Sequence, residues 1–363
     1  MSRRTAQRRT RTLTLLAVGL MLAMTTWFST SAVLPTLRDR WTLTTGAASL
    51  LIVILQLGFV AGALLSAGLG LADRISPRHL VLGSALLAAA ANAAIVPADA
   101  YLPALVLRFL TGVFLAGVYP PAMKLVASWF RDGRGFAMGI MVAALTVGSA
   151  APHLVNAVGG AAWQDVLTIT SAATVIGGLL IGVSVADGPY PFPATEFRWR
   201  EARRALGQRD VRIATVAYFG HMWELYAMWA WIPLFLADRI DARGARFDAP
   251  MLAFVVIAAG ALGSVAAGWW GDRIGKARAA MAAMWISGTT SLTIGVPRLP
   301  LLVIAAMAIM WGITVVADSA QFSAIVSERA DQRYVGTALT VQLALGFLLT
   351  VATIWIVPWL RDH

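Results

Sequence analysis

The chain has 363 residues, 59% of them hydrophobic and 13% charged, with a mean hydropathy of +0.73. A soluble domain carries roughly a quarter charged residues, and a disordered chain is rich in charge and poor in apolar side chains, so both classes are excluded. The net charge of +11 would point a soluble protein to nucleic acid, but in a chain whose solvent is lipid it reads as bases held on one side of the bilayer, and no nucleic-acid partner is expected.

A hydrocarbon core takes about 20 apolar residues per helix. In chain order, stretches of that kind lie at 13–35, 46–71, 79–97, 102–126, 135–158 and 164–186 (spans 1 to 6). A polar segment with Pro189, Pro191 and Pro193 follows. Five more stretches lie at 213–236, 250–271, 279–296, 300–325 and 335–360 (spans 7 to 11). These runs are too long for strands and lack the two-residue alternation of a membrane barrel. Helices then satisfy the backbone in lipid. The expected fold is an all-α integral membrane protein with about eleven spans, six plus five. Residues 1–186 form one bundle, 187–211 a cytoplasmic linker, and 212–363 a second bundle of five helices.

Arg3, Arg4, Arg8, Arg9 and Arg11 imitate the basic start of a signal peptide. The apolar run behind them is longer than such a peptide uses, and ten more spans follow, so span 1 is read as a retained helix. With the N-terminus inside, 21 bases fall in inner segments and 7 in outer ones. That bias sets the orientation in the cell or inner membrane, with the N-terminus cytoplasmic and His363 outside. The absence of cysteine leaves no disulfide or thiolate site, and four scattered histidines do not make a zinc site. No Gly-rich loop ending in Lys-Ser/Thr is present, so ATP drive is not indicated. No cofactor, metal or enzymatic activity is expected.

Asp73-Arg74-Ile75 follows span 2, and Asp272-Arg273-Ile274 follows span 8. A charge motif repeating six spans apart indicates two homologous halves. An acidic side chain at the start of a helix favours its positive dipole end, and a neighbouring base can pair across to another helix. Such contacts would latch one conformation, which makes Asp73, Arg74, Asp272, Arg273 and Gly275 candidate latch residues.

These residues resemble the major facilitator superfamily, whose loop motif is Gly-x-x-x-Asp-Arg-x-Gly-Arg/Lys. The copy from Gly268 through Asp272, Arg273, Gly275 and Lys276 matches it. The first copy departs, with Leu69 at the first glycine and Ser76-Pro77 at the end. Arg108 to Gly112 is similar to the family's Arg-x-x-x-Gly motif in helix 4, and Arg134 to Gly139 to its helix 4–5 junction. Ala151-Pro152 is a weak version of the antiporters' Gly-Pro motif and tilts the direction towards export. The resemblance implies two helix bundles with helices 1, 4, 7 and 10 lining the pathway. It also implies a twelfth, peripheral helix, where this sequence ends shortly after the eleventh span.

Of the 29 basic and 18 acidic residues, only Arg108, Glu224 and Asp318 lie well inside spans, on spans 4, 7 and 10. A mid-membrane charge costs roughly 2.5–3.5 kcal/mol on insertion scales and so marks a candidate site. Arg108 would hold an anionic group or a carboxylate partner, with Tyr119 further along its face. Glu224 has His221 one turn earlier and Trp231 two turns later, and acids with histidines are suited to carrying protons. Asp318 would pair with Arg108 or Lys124, or serve as a proton site, with Gln321 on its face. Span 1 carries Thr25, Thr26, Trp27, Ser29 and Ser31, polar enough to line a cavity. Gln56, His153, Asn156 and Gln342 are isolated polar residues for which a packing role is favoured. Gly58, Gly62, Gly139, Gly148, Gly260 and Gly263 suit close helix contact.

The expected function is secondary active transport of a small solute, an organic or inorganic anion, by alternating access and with proton coupling. The substrate candidates are Arg108, Tyr119, Trp27, Trp231 and Gln321, and the proton candidates are Glu224, Asp318 and His221. The partners would be the bilayer, the substrate and protons, and the protein would be a monomer. A multidrug exporter with Glu224 as cation contact, and a non-transporting sensor or shortened remnant, stay open as alternatives. A reporter fused after His363 should read as outside, and an inside signal would mean a miscounted span.

Overall fold

The computed structural model describes residues 3–130, 133–159, 162–190, 204, 206–330 and 335–362. Among these residues every regular element is helical. Span 1 comprises Arg3–Ala23, Ser29–Ala32 and Leu34–Arg40, and span 2 is Thr45–Gly68. Span 3 is Pro77–Ala93 with Ile95–Ala98, and span 4 is Tyr101–Leu115 with Tyr119–Trp129. Spans 5 and 6 are Arg134–Gly159 and Trp163–Ser184. In the second half, span 7 is Arg209–Asp241, span 8 Ala249–Ile274 and span 9 Lys276–Thr293. Span 10 is Leu301–Ala317 with Ser319–Arg329, and span 11 is Val335–Asp362.

Eight of these runs are long and apolar enough to cross a membrane by length and composition: spans 2 to 6, 8, 10 and 11. The expected count of eleven is therefore not confirmed by these measures. The three remaining runs dilute their apolar character in different ways. Span 1 is interrupted between Ala23 and Ser29, span 7 is rich in Trp, Tyr and His, and span 9 leans on Ala, Gly, Ser and Thr. Most of the linker, residues 191–203 and 205, lies outside the described residues, as does His363.

Several spans break for local reasons. In span 4, Pro120 and Pro121 cannot donate to the preceding turn, and the helix tightens just before them. Gly117 N donates to Phe114 O and Val118 N to Leu115 O, bonds of the three-residue kind. Span 1 does the same at Thr25 and Trp27, which donate to Leu22 O and Met24 O. Span 10 breaks at Asp318.

Within the first half, span 6 packs on spans 1 and 3, and span 2 on span 4. Within the second, span 8 packs on span 10. The halves meet where span 5 runs along span 8 and span 2 along span 11. Each half contains a crossing of equivalent spans with no room for a side chain. A Cβ on Gly112 would collide with the Leu55 carbonyl of span 2, and one on Gly312 with the Val256 carbonyl of span 8. The paired crossings match the internal repeat. At the loop end opposite Asp272, Arg40 donates to both carboxylate oxygens of Asp99. That hydrogen bonding holds the Asp99 carboxyl below its ordinary range. The exposed tie is therefore intact at neutral pH, lost only as pH falls through that lowered value, and of small weight.

Gly112→Val and Gly312→Val should each destabilise the protein by about 1–3 kcal/mol through overpacking. Gly83→Ala and Gly288→Ala, where a Cβ meets open space, should not. Thermal unfolding in detergent reads the difference.

Candidate functional site

The interruption of span 1 leaves backbone carbonyls without helical partners in the interior of the first half. Arg108 supplies donors for two of them. Its Nη2 donates to Trp27 O (2.7 Å) and its Nη1 to Thr26 O (3.0 Å). Nη1 is also 3.3 Å from Ser29 Oγ and 3.4 Å from Asn92 Oδ1. Asn92 donates onward to Ser171 Oγ (2.9 Å) and Leu167 O (3.2 Å) on span 6. Thr25 Oγ1 donates to Thr170 O (2.9 Å). The guanidinium is thus tied into a fully buried polar knot of spans 1, 3, 4 and 6. Among the described residues no carboxylate lies at ion-pair distance from it. The expected carboxylate partner is replaced by carbonyls. The hydroxyls of Thr25 and Ser29 bond into spans 6 and 3 instead of lining a cavity.

Asp318 does not reach Arg108. Its Oδ1 lies 2.7 Å from His221 Nδ1, both residues buried, at ion-pair distance without the angles of a directed hydrogen bond. The break in span 10 turns Asp318 onto span 7 within the same half. His221 packs between the rings of Tyr218 and Phe322, each 5.9 Å away between centroids. Glu224, one turn on, is half-buried. It accepts from Trp311 Nε1 (2.8 Å, span 10) and Ser287 Oγ (3.1 Å, span 9). The three titratable candidates therefore stand together in the second half, facing spans 9 and 10.

Aromatic rings fill the space between the halves. Trp27 meets Phe59 (5.0 Å) and Phe347 (5.7 Å), and Phe59 meets Phe347 (4.5 Å). Phe28 meets Trp229 (5.7 Å) and Tyr226 (6.4 Å). The two residues at the head of this contact, Trp27 and Phe28, belong to the segment that Arg108 holds. Tyr119 and Trp231 are partly buried against the same core. Gln321 is elsewhere: it donates to Ala267 O of span 8 (3.1 Å), a packing contact within the second half.

The second loop motif faces the other half. The Asp272 carboxylate lies against Gly135, in the first turn of the span 5 helix, where a Cβ would collide with it. The sequence reading placed such an acid at the start of its own next helix. Here it meets the dipole of a helix across the seam. Arg273 stacks over Trp269 at 3.4 Å. Gly275 has φ +95, and Lys276 pairs with Glu328. In the first motif, Arg74 ends a short helix after Gly70, and the Asp73 side chain lies outside the described ones.

Sequence reasoning missed Asn92 and Ser287, and placed Trp311 only on the face of Asp318, without its bond to Glu224. A usable signal existed for the first. The chain has two asparagines, both inside spans, and both bond between helices: Asn156 Nδ2 donates to Ala32 O at 2.8 Å.

The model of the Major Facilitator Superfamily matches residues 16–353. A relative in Cupriavidus necator, named "Probable sulfoacetate transporter SauU", is 26% identical over 268 residues, 68% of this chain. The match spans 61% of that relative's length. The human organic anion transporter MFSD10 (TETRAN) superposes with a TM-score of 0.70 at 15% identity, covering 96% of this chain and 92% of that one. The proton:xylose symporter XylE bound to 6-bromo-6-deoxy-D-glucose gives 0.70 at 15% identity, covering 99% and 90%. At that identity the two structures speak for the fold alone.

Arg108→Gln should leave the Trp27 carbonyl without its donor, while Thr26 O keeps its bond from Ser29 Oγ (3.0 Å), and should destabilise the protein by about 1–3 kcal/mol. Arg108→Lys should recover part of this, since an ammonium cannot fork two carbonyls. Equal stability of all three proteins would refute the role of the knot.

Proposed function

This chain belongs to the major facilitator superfamily, and we propose that it is a secondary active transporter of a small organic anion, driven by protons. The family is one of transporters rather than a class of enzymes, and the fold is that of a multi-pass integral membrane protein. The substrate would bind near the midplane between the two bundles, which rock around it.

One observation carries the reading: the buried cation stands in one half and the membrane-embedded carboxylates in the other. In the first half the buried Arg108 has carbonyl partners and no acid at ion-pair distance among the described residues. An uncompensated cation favours an anion nearby. In the second half His221, Glu224 and Asp318 form a compact group able to exchange protons. A relative named for sulfoacetate supports the anion. Rocking would part and remake the seam where Asp272 meets span 5, so Asp272, Arg273 and Gly275 act there as the latch. The basic end is taken as cytoplasmic.

Proteoliposomes given a pH gradient and labelled sulfoacetate test the proposal. Gradient-driven uptake should occur in the wild type and vanish in Glu224→Gln and Asp318→Asn. If both variants keep gradient-driven uptake, the coupling assignment is wrong. If lipophilic cations move and anions do not, the substrate class is wrong.

A further inference from the structure

Arg108 is spent on the span 1 break and sits among spans 1, 3 and 4, so an anion between the bundles needs other donors. Buried polar atoms in folded proteins almost always have a partner. Among the described residues several buried side chains carry atoms that do not; on the segments that meet around Phe28 and Ala32 these include Ser31 Oγ, Ser149 Oγ, His153 Nε2 and Trp229 Nε1, with Thr26 Oγ1, Trp27 Nε1 and Thr30 Oγ1 on the broken part of span 1. Ser149, His153 and Trp229 are at most 2% exposed.

The junction is fixed from two sides. Asn156 Nδ2 donates to Ala32 O at 2.8 Å and ties span 5 to the short helix Ser29–Ala32. Ser149, His153 and Asn156 follow at i, i+4 and i+7, so they share a face of span 5. His153 also lies five full turns beyond Gly135, which places it on the face that Gly135 turns towards the second half. On the other side, Phe28 packs on Trp229 with ring centroids 5.7 Å apart, which seats span 7 against the same segment of span 1. Ser149 is telling in itself. Many serines and threonines in the spans bond back to their own helix, as Ser171 Oγ does to Leu167 O (2.7 Å), and outside the broken segment of span 1, where Thr26, Thr30 and Ser31 also lack a partner, Ser149 stands apart.

We propose that this junction of spans 1, 5 and 7 is the oxyanion subsite: Ser31, Ser149, Trp229 and the Nε2–H of His153 donate to the oxygens of a sulfonate or carboxylate group. The donors are neutral and fixed by packing, and Arg108 adds positive potential from behind the break. A terminal oxyanion has acceptor sites enough for all four, and bonds to a charged acceptor are the stronger kind. The proposal rests on the anion reading above and assigns that anion a place.

Binding to purified protein in detergent tests it, by thermal shift and titration with sulfoacetate and methanesulfonate, and with neutral methanesulfonamide as control. The wild type should bind the anions and not the sulfonamide. Ser149→Ala, which leaves the fold's own hydrogen bonds intact, and His153→Ala should each weaken anion binding about tenfold. His153→Gln, whose amide N–H stands near the position of the imidazole Nε2, should recover most of the loss. Gln56→Leu, another buried unpaired residue but on span 2, should bind as the wild type does. If the wild type binds the anions and both alanine variants bind them equally well, the subsite is refuted while the anion reading stands. If the wild type binds neither anion, both fall.

Discussion

A carbonyl group inside a bilayer has no water to turn to, so each departure from helix must bring its own donors. Span 1 departs between Ala23 and Ser29, in the middle of the first half. Arg108 answers it, with two nitrogens on two consecutive carbonyls. Much else follows from that exchange. The break can persist, Trp27 and Phe28 can leave the helical register, and their rings can meet Phe59, Phe347, Tyr226 and Trp229. A charge that composition alone marks as costly is thus a condition of the packing between the halves.

The two halves repeat a plan and fill it with different chemistry. Both cross their helices on glycine, at Gly112 and at Gly312. Both place a polar cluster where the first helix of the half meets its neighbours. In the first half that cluster is a guanidinium, an asparagine and hydroxyls, every contact a hydrogen bond to a neutral group. In the second it is two carboxylates and an imidazole held by an indole and a hydroxyl. One cluster is built around a cation, and the other around acids.

What was legible in the sequence was whatever depends on local composition. Apolar runs located the helices, and the rarity of charge picked out Arg108, Glu224 and Asp318. The Asp-Arg-Ile repeat suggested two halves. Partnerships were not legible, because they depend on which helices touch and at what height. Asp318 meets His221 because span 10 breaks beside span 7, and nothing in the residues around Asp318 says so. Gln321 shares a helical face with Asp318 in sequence terms, but the same break turns it onto span 8. Span counting by hydropathy suffers where a helix is polar for a reason, as spans 1 and 7 are.

The seam between spans 5 and 8 has small residues on both sides. A Cβ on Gly139 would lie 2.7 Å from Ser264 O, and one on Gly268 would lie 2.8 Å from Gly135 O. At these positions backbone meets backbone, with no side chain seated in a socket of the opposite helix. Two such helices can separate without drawing knobs out of holes and can close again without finding a rotamer. On the transporter reading proposed above, such a seam would part with little friction, the Ser264–Gly139 hydrogen bond (3.3 Å) aside, and the Asp272 carboxylate at its end would be the catch.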